Sequence, residues 1–317
     1  MNTGRPVDID FVELPLPVPV VFLVFNRPDC TARSLAAIRA ARPPRLYVVA
    51  DGPRADRPGE AALCAEVRTM VEQGVDWPCE VIRDYAPANL GCARRVSSGL
   101  DAVFARETEA IILEDDCVPD PTFFRFCAEL LERYRDEPRI GQIAGCTFQG
   151  AGCDAPTSYY FSRYPHCWGW ATWRRAWSHY DHAIPGWRNP EAPKWLAEQV
   201  PDPAERRYWA HSFSATADGR MNSWAYRWTL ALWRRGCLSV TPYRNLVSNI
   251  GFHSGATNTR DRNPLADRLV SPMPFPLLHP ASFAPDHEAD ARTSRQVYRR
   301  PPVLFRLWRR LRRIFTG

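Results

Sequence analysis

Three carboxylates without a break, Glu114-Asp115-Asp116, follow the apolar run Ile111-Ile112-Leu113. Two β-branched residues and a leucine read as the end of a buried strand. Adjacent carboxylates repel one another and weaken a fold that makes no use of them. A hard cation carrying phosphates turns that repulsion into a binding site. Mg2+ and Mn2+ are held by one or two carboxylates, and phosphate oxygens and water complete the shell. Side chains alternate along an extended segment, so Glu114 and Asp116 share a face and Asp115 opposes them, unless the chain turns there. The competing reading is an acidic helix N-terminus.

Other residues with chemistry sit at the ends of apolar runs. Asn26-Arg27-Pro28 closes Val18 to Phe25, and Asp51-Gly52-Pro53 closes Arg45 to Ala50. Asp51 either accepts hydrogen bonds from a base or ribose or simply opens the Gly52-Pro53 turn. Arg94 and Arg95, beside Asn89-Leu90-Gly91, suit the oxygens of a diphosphate, or are solvated helix charges. Trp168-Gly169-Trp170 offers aromatic faces for a sugar, although clustered tryptophans more often build a core. The glycine between them suits close approach of something to the backbone. His253 in Phe252-His253-Ser254-Gly255 is either a second metal ligand, a phosphate donor or an ordinary loop histidine.

The elements that must position these residues alternate. A strand over Val18 to Phe25 leads to a helix over Thr31 to Ala41, then a strand at Arg45 to Ala50. A helix over Gly59 to Gln73, a strand at Glu80 to Arg83 and a helix over Ala93 to Arg106 follow. The next strand, Ala110 to Leu113, ends in the acidic cluster. This alternation predicts an α/β fold, a mostly parallel central sheet flanked by helices. Ligands of such sheets sit at the carboxyl ends of the strands, where Asn26, Arg27, Asp51 and Glu114 to Asp116 all fall. A helix through Tyr134 and a strand at Ile140 to Cys146 come next. Residues 188–222 read as helical and polar. Trp224, Trp228, Ala231 and Leu232 then have the spacing of an amphipathic helix packed on a core.

The chain has 317 residues, 45% hydrophobic and 24% charged, the composition of an ordinary globular protein with ample core. The organisation expected is a loose arm over 1–17 and one domain over 18–280, with a donor half to about 150 and an acceptor half from 151. A linker and basic helix occupy 281–317. No run approaches the length of a spanning helix, and nothing near the amino end reads as a signal peptide. None of the ten cysteines forms a Cys-x-x-Cys pair, as expected for small buried hydrophobes in a reducing compartment. The net charge of +6 is partly local, because residues 299–317 hold seven arginines. There Leu304, Leu307, Trp308, Leu311, Ile314 and Phe315 share one helical face. Such a helix suits an anionic membrane surface, with docking on its own domain or on a partner as the alternative. Nucleic acid is not expected, since the basic charge is confined to this one stretch.

In order and spacing, Phe22-Leu23-Val24-Phe25-Asn26-Arg27-Pro28, Asp51-Gly52, Glu114-Asp115-Asp116 and Gly169-Trp170 resemble the GT-A fold glycosyltransferases of the family 2 type, including the N-acetylglucosaminyltransferase I kind. Trp168-Gly169-Trp170-Ala171-Thr172-Trp173 and Asn245-Leu246-Val247-Ser248-Asn249-Ile250-Gly251-Phe252 are similar to a bacterial hemolytic-protein-HlpA-like group. The resemblance covers about residues 18–280. It implies an inverting enzyme that moves a sugar from a nucleoside diphosphate to a hydroxyl of a glycan or lipid-linked acceptor. By it, Asp116 binds Mn2+ or Mg2+, Asp115 lies near the sugar or ribose, Glu114 orients the donor and Asp51 holds the base. Asn26, Arg27 and Arg94 complete the donor side, and Trp168, Gly169, Trp170 and Trp224 the acceptor side. A cytoplasmic location, peripheral at the inner face of the membrane, goes with that reading.

Two positions depart from the pattern. Related inverting enzymes carry a base Asp just after a Trp, where this chain has Ala225. The loop that often ends Ala-Thr-His-Thr here reads Ala256-Thr257-Asn258-Thr259. Asp218 and His253 are the substitute candidates for the base. The missing base also motivates a non-catalytic descendant that binds a nucleotide sugar or glycan. A nucleotidyltransferase would show a Gly-rich basic loop after the first strand, and Asn26-Arg27-Pro28 is not one.

Overall fold

The computed structural model describes residues 16–150, 155–252 and 268–299. In chain order these form β1 (Val20–Val24), α1 (Pro28–Ala41), β2 (Arg45–Ala50), α2 (Glu60–Gly74), β3 (Glu80–Tyr85), α3 (Cys92–Arg106) and β4 (Glu109–Glu114). Next come β5 (Cys117–Pro119), α4 (Thr122–Arg133), β6 (Ile140–Ala144), β7 (Tyr159–Ser162), β8 (Trp170–Trp173) and α5 (Arg174–Trp177). Then follow α6 (Ala192–Gln199), α7 (Pro203–Ala217), α8 (Trp224–Arg234), β9 (Leu238–Pro242), β10 (Val247–Asn249) and α9 (His287–Thr293).

Eight strands form one sheet in the order β3-β2-β1-β4-β8-β6-β9-β7, and β10 pairs with β5 in a separate ribbon. Only β8 and β7 run against the common direction, so the sheet is mostly parallel. The parallel part needs both faces covered, and its residues alternate accordingly. Val20, Phe22 and Val24 pack with Leu46, Val48, Ile111 and Leu113 under α1, α2 and α4. Val21 and Leu23 pack with Tyr47, Val49 and Ile112 under α3, α5 and α8. Shifting β1 by one residue would exchange these faces, which is why two continuous apolar layers fix its register.

The chain runs outward from β1 to β3 and then returns to place β4 on the other side of β1. That return makes a topological switch point, where the loops after β1 and β4 diverge and leave a crevice. Leu23 pairs with Glu114, so the two strand ends lie level at its floor.

β6, β8, β9 and β7 extend the same sheet, so the segments before and after residue 150 share one framework. A third apolar cluster of Tyr164, Trp209, Phe213, Trp233 and Tyr298 holds α7 and α8 to the end of the described chain. The expected linker after residue 280 is therefore corrected. Pro285 bridges Phe161, α9 is capped by Asp286, and Tyr298 is buried, so packed structure continues to Arg299. Residues 300–317, with most of the basic tail, lie outside the described residues, as does most of the arm over 1–17. Among the described residues no helix is long and apolar enough to cross a membrane, and nine cysteines are free thiols.

Candidate active site

A cavity of about 460 Å³ opens at the switch point. Leu23 to Phe25 and Arg27 line it from β1, Asp51 and Arg54 from β2, and Glu114, Asp115 and Asp116 from β4. Gly91 and Cys92 at the start of α3, Ser223 to Ala225 at the start of α8, and Asn249, Gly251 and Phe252 after β10 close the remaining sides. Two helix N-termini therefore line a cavity whose floor carries carboxylates, and the positive end of a helix dipole favours anionic ligands, although Ala93 N of α3 is already capped by Asn222 Oδ1 at 3.0 Å.

The carboxylates are brought together by a turn. The chain leaves β4 at Glu114 and turns at Asp115-Asp116 into β5, so strict alternation does not apply. Both aspartates consequently meet Arg27. Its Nη1 donates to Asp116 Oδ2 at 2.9 Å, its Nε donates to Asp115 Oδ2 at 3.3 Å, and its Nη2 pairs with Asp115 Oδ1. Ser34 Oγ donates to the Asp115 carbonyl at 2.9 Å and ties the turn to α1. Burial alone would lower the Arg27 guanidinium, yet Asp115 and Asp116 raise it overall. Burial pushes Asp115 up, against the pull of Arg27. Glu114 is pushed up by burial and then by Asp116 and Asp115, opposed by Arg27 and by a hydrogen bond from the Trp224 side chain.

The β5–β10 ribbon was not anticipated, and it completes the site. Asn249 pairs with Cys117 and donates its Nδ2 to Asp116 Oδ1 at 3.2 Å, while Ile250 N donates to the Asp116 carbonyl at 2.9 Å. Gly251 lies so close that a Cβ there would meet Asp116 Oδ2 at 2.1 Å and Arg27 Nη1 at 2.9 Å. Only the Asn-Ile-Gly order at the end of β10 hinted at this closure. Among the described residues no group of three His, Cys, Asp or Glu side chains is arranged to hold a metal. The hard oxygens of Asp116, with Asn249 beside them, still fit a Mg2+ or Mn2+ ion that takes most of its ligands from phosphate and water.

Asp51 has a structural engagement. Its Oδ1 accepts from Gly52 N and Leu90 N at 2.9 Å each, and its Oδ2 accepts from Asn89 Nδ2 at 3.0 Å and Gly91 N at 3.1 Å. The carboxylate thus pins the Asn89-Leu90-Gly91 turn at the start of α3. Asn26 does not line the cavity. It donates to Glu60 Oε1 at 2.9 Å, and Glu60 in turn holds Arg54, which does line it. Arg94 is exposed and outside the cavity. Its neighbour Arg95 is the lining residue, with its guanidinium committed to the Ala50 and Asp84 carbonyls.

Of the residues expected on the acceptor side, Trp168 lines the cavity edge-on to Phe252, with ring centroids 5.5 Å apart. Trp224 lines it too but is almost wholly buried and stacks on Trp170 at 5.2 Å. Trp170 is fully buried and is a core residue. Gly169, at φ 61°, is required by contact with Val247 and Leu113, since a Cβ there would lie 2.7 Å from a Val247 methyl. Asp218 ends α7 away from the cavity, half exposed and paired with Arg220 at 2.8 Å. His253 lies outside the described residues. Cys92 and Cys167 also line the cavity. Burial pushes both thiols up, Cys92 to about 12, so neither is a thiolate nucleophile at neutral pH.

No protein-family model matches the sequence, and comparison with curated proteins gives no match. Among solved structures it is similar to a UDP-glucose pyrophosphorylase complexed with UDP-glucose, at 8% identity over 48% of this chain and 64% of that one, with a TM-score of 0.28. A UTP-bound UGPase from Acinetobacter baumannii gives 10% identity over 74% and 88%, with a TM-score of 0.35. The chain thus spans less than two thirds of the first of these. Likenesses this loose carry no argument about activity.

Proposed function

We propose that the chain is a GT-A type glycosyltransferase, moving a sugar from a nucleoside-diphosphate donor to a hydroxyl of a glycan or lipid-linked acceptor with inversion. The supporting observation is the convergence of Glu114, Asp115, Asp116, Arg27 and two helix N-termini on one cavity at the switch point. Its volume of about 460 Å³ lies within the range of small-molecule sites. The ordered motifs of the sequence support the glycosyl-transfer reading in particular.

In this reading Arg27 and the start of α3 face the diphosphate, and Asp51 keeps the 89–91 turn in place to form the nucleoside side. Glu114 and Trp224 border the donor sugar, and Trp168 with Phe252 forms the aromatic rim open to an acceptor. A Mn2+ or Mg2+ ion held at Asp116 would neutralise charge on the departing diphosphate. The tail over 299–317, by its sequence pattern, supports contact with an anionic membrane and hence a lipid-linked acceptor.

Release of nucleoside diphosphate from a panel of sugar nucleotides, with sugar acceptors present, tests this directly. Turnover that disappears in Asp116→Asn is the expected result. Release of pyrophosphate from a nucleoside triphosphate and a sugar 1-phosphate would instead identify a nucleotidyltransferase and overturn the proposal. One observation favours a second reading, a binding protein without turnover. Ala225 stands at the cavity wall where related enzymes carry the base, and Asp218 lies elsewhere. Donor binding with no product across the panel would select it.

A further inference from the structure

The Arg27 guanidinium is divided between two carboxylates that differ in burial. One edge, Nε and Nη2, is held by Asp115, whose side chain is 4% exposed. The remaining nitrogen, Nη1, reaches Asp116 Oδ2 at 2.9 Å, and the Asp116 side chain is 13% exposed. The other Asp116 oxygen already accepts from Asn249, and the Gly251 backbone sits directly against Oδ2. Both Asp116 oxygens are thus engaged, and Oδ2 already faces a cationic group supplied by the protein itself.

Resting on the reading that Asp116 is the metal-facing residue, we propose that Arg27 is an internal counter-ion that a divalent cation must displace. The two halves of the fork have separate tasks. Asp115 anchors the guanidinium through a two-point contact, which fixes its plane. The Nη1–Asp116 contact is the exchangeable half. A metal arriving alone gains one carboxylate and strips Arg27 of its second partner. A metal arriving with a nucleoside diphosphate brings phosphate ligands of its own and offers an anionic oxygen to Nη1. Each exchange then compensates the other, so cation and diphosphate bind as a pair. Linkage makes this coupling reciprocal, each ligand raising the affinity for the other by the same factor.

Binding measurements test this without any transfer reaction. Mn2+ alone is titrated into the full chain and into Arg27→Met and Arg27→Lys, followed by the electron spin resonance of free Mn2+. The titrations are repeated with saturating UDP, GDP or ADP, keeping whichever binds most tightly. Wild type is expected to gain at least tenfold in Mn2+ affinity when the diphosphate is present. Arg27→Met should bind Mn2+ alone at least tenfold more tightly than wild type and lose most of the coupling, with Arg27→Lys between them. Equal Mn2+ affinity of wild type and Arg27→Met without nucleotide overturns the counter-ion role while leaving the metal reading intact. No Mn2+ binding by wild type with any of the diphosphates overturns both and places the failure in the metal reading. If Arg27→Met does not fold, Arg27→Lys and the wild-type comparison decide. Wild-type affinities that are the same with and without diphosphate refute the coupled exchange.

Discussion

Replacing Asp51 by asparagine separates a structural role from a ligand-binding one. The carboxylate accepts four hydrogen bonds, two on each oxygen, from Gly52 N, Leu90 N, Asn89 Nδ2 and Gly91 N. An asparagine has one acceptor oxygen, and in either flip its amino group faces two of those donors. Hydrogen bonds to a charged group contribute about 1.5–3 kcal/mol each. Water from the cavity can replace part of the loss, so the lower end applies, about 3 kcal/mol for two bonds. With an unfolding entropy of about 2.1 cal/mol/K per residue, this lowers Tm by roughly 5 °C. Calorimetry or circular dichroism on Asp51→Asn reads that shift, and nucleotide binding should weaken with it because the 89–91 turn is released. The two effects should be shared with Asn89→Ala, whose combination with Asp51→Asn should be less than additive. A Tm within about 1 °C of wild type together with a tenfold loss of nucleotide affinity would refute the reasoning. The carboxylate would then serve the ligand and not the turn.

Gly251→Ala places a Cβ 2.1 Å from Asp116 Oδ2. A cost of about 1–3 kcal/mol in stability and at least a tenfold loss of donor affinity are expected, read by denaturant midpoint and by titration calorimetry. His166 is buried, its Nε2 has no partner among the described residues, and burial followed by Arg268 lowers its pKa to about 3. The unfolded histidine takes up its proton near pH 6.5, so the unfolded state binds more protons below that value and stability falls as pH drops from about 6.5 toward 3. The slope is at most about 1.4 kcal/mol per pH unit, and His166→Phe should lose it when Tm is compared at pH 7 and pH 5. Tyr298→Ala should cost about 3 kcal/mol by emptying the third apolar cluster, measured by urea denaturation. Truncation after Arg299 should spare that cluster and abolish binding to anionic liposomes, and retained binding would remove the membrane role of the tail.

The switch-point end of the parallel strands was legible because its signals are local. Ile111 to Leu113 followed by Glu114 to Asp116 combines a buried-strand run with charges that need a partner, and Val18 to Phe25 and Arg45 to Ala50 are equally plain. What the sequence concealed are contacts between distant segments. Asn249 and Gly251 lie more than a hundred residues after Asp116, and a three-residue ribbon is too short to announce itself by periodicity. Asp51 was open between ligand and turn because either role uses the same residue type, and only its four donors distinguish them. Tryptophans suit sugars and cores alike, so Trp168, Trp170 and Trp224 could not be sorted until burial separated the rim from the interior. Arg94 and Arg95 exchange roles for a simple geometric reason, since neighbours on a helix point about 100° apart.

Tyr298 has a consequence for how the molecule comes into being. It fills a space walled by Tyr164, Trp209 and Tyr208, so the second half of the domain is closed by a residue synthesised about ninety positions after the nearest of them. During translation the parallel strands β1 to β4 can pair once Glu114 has emerged, whereas the aromatic cluster must wait, open to solvent, until its last ring emerges. A nascent chain stalled before residue 298 would expose that surface to the quality-control machinery of its cell.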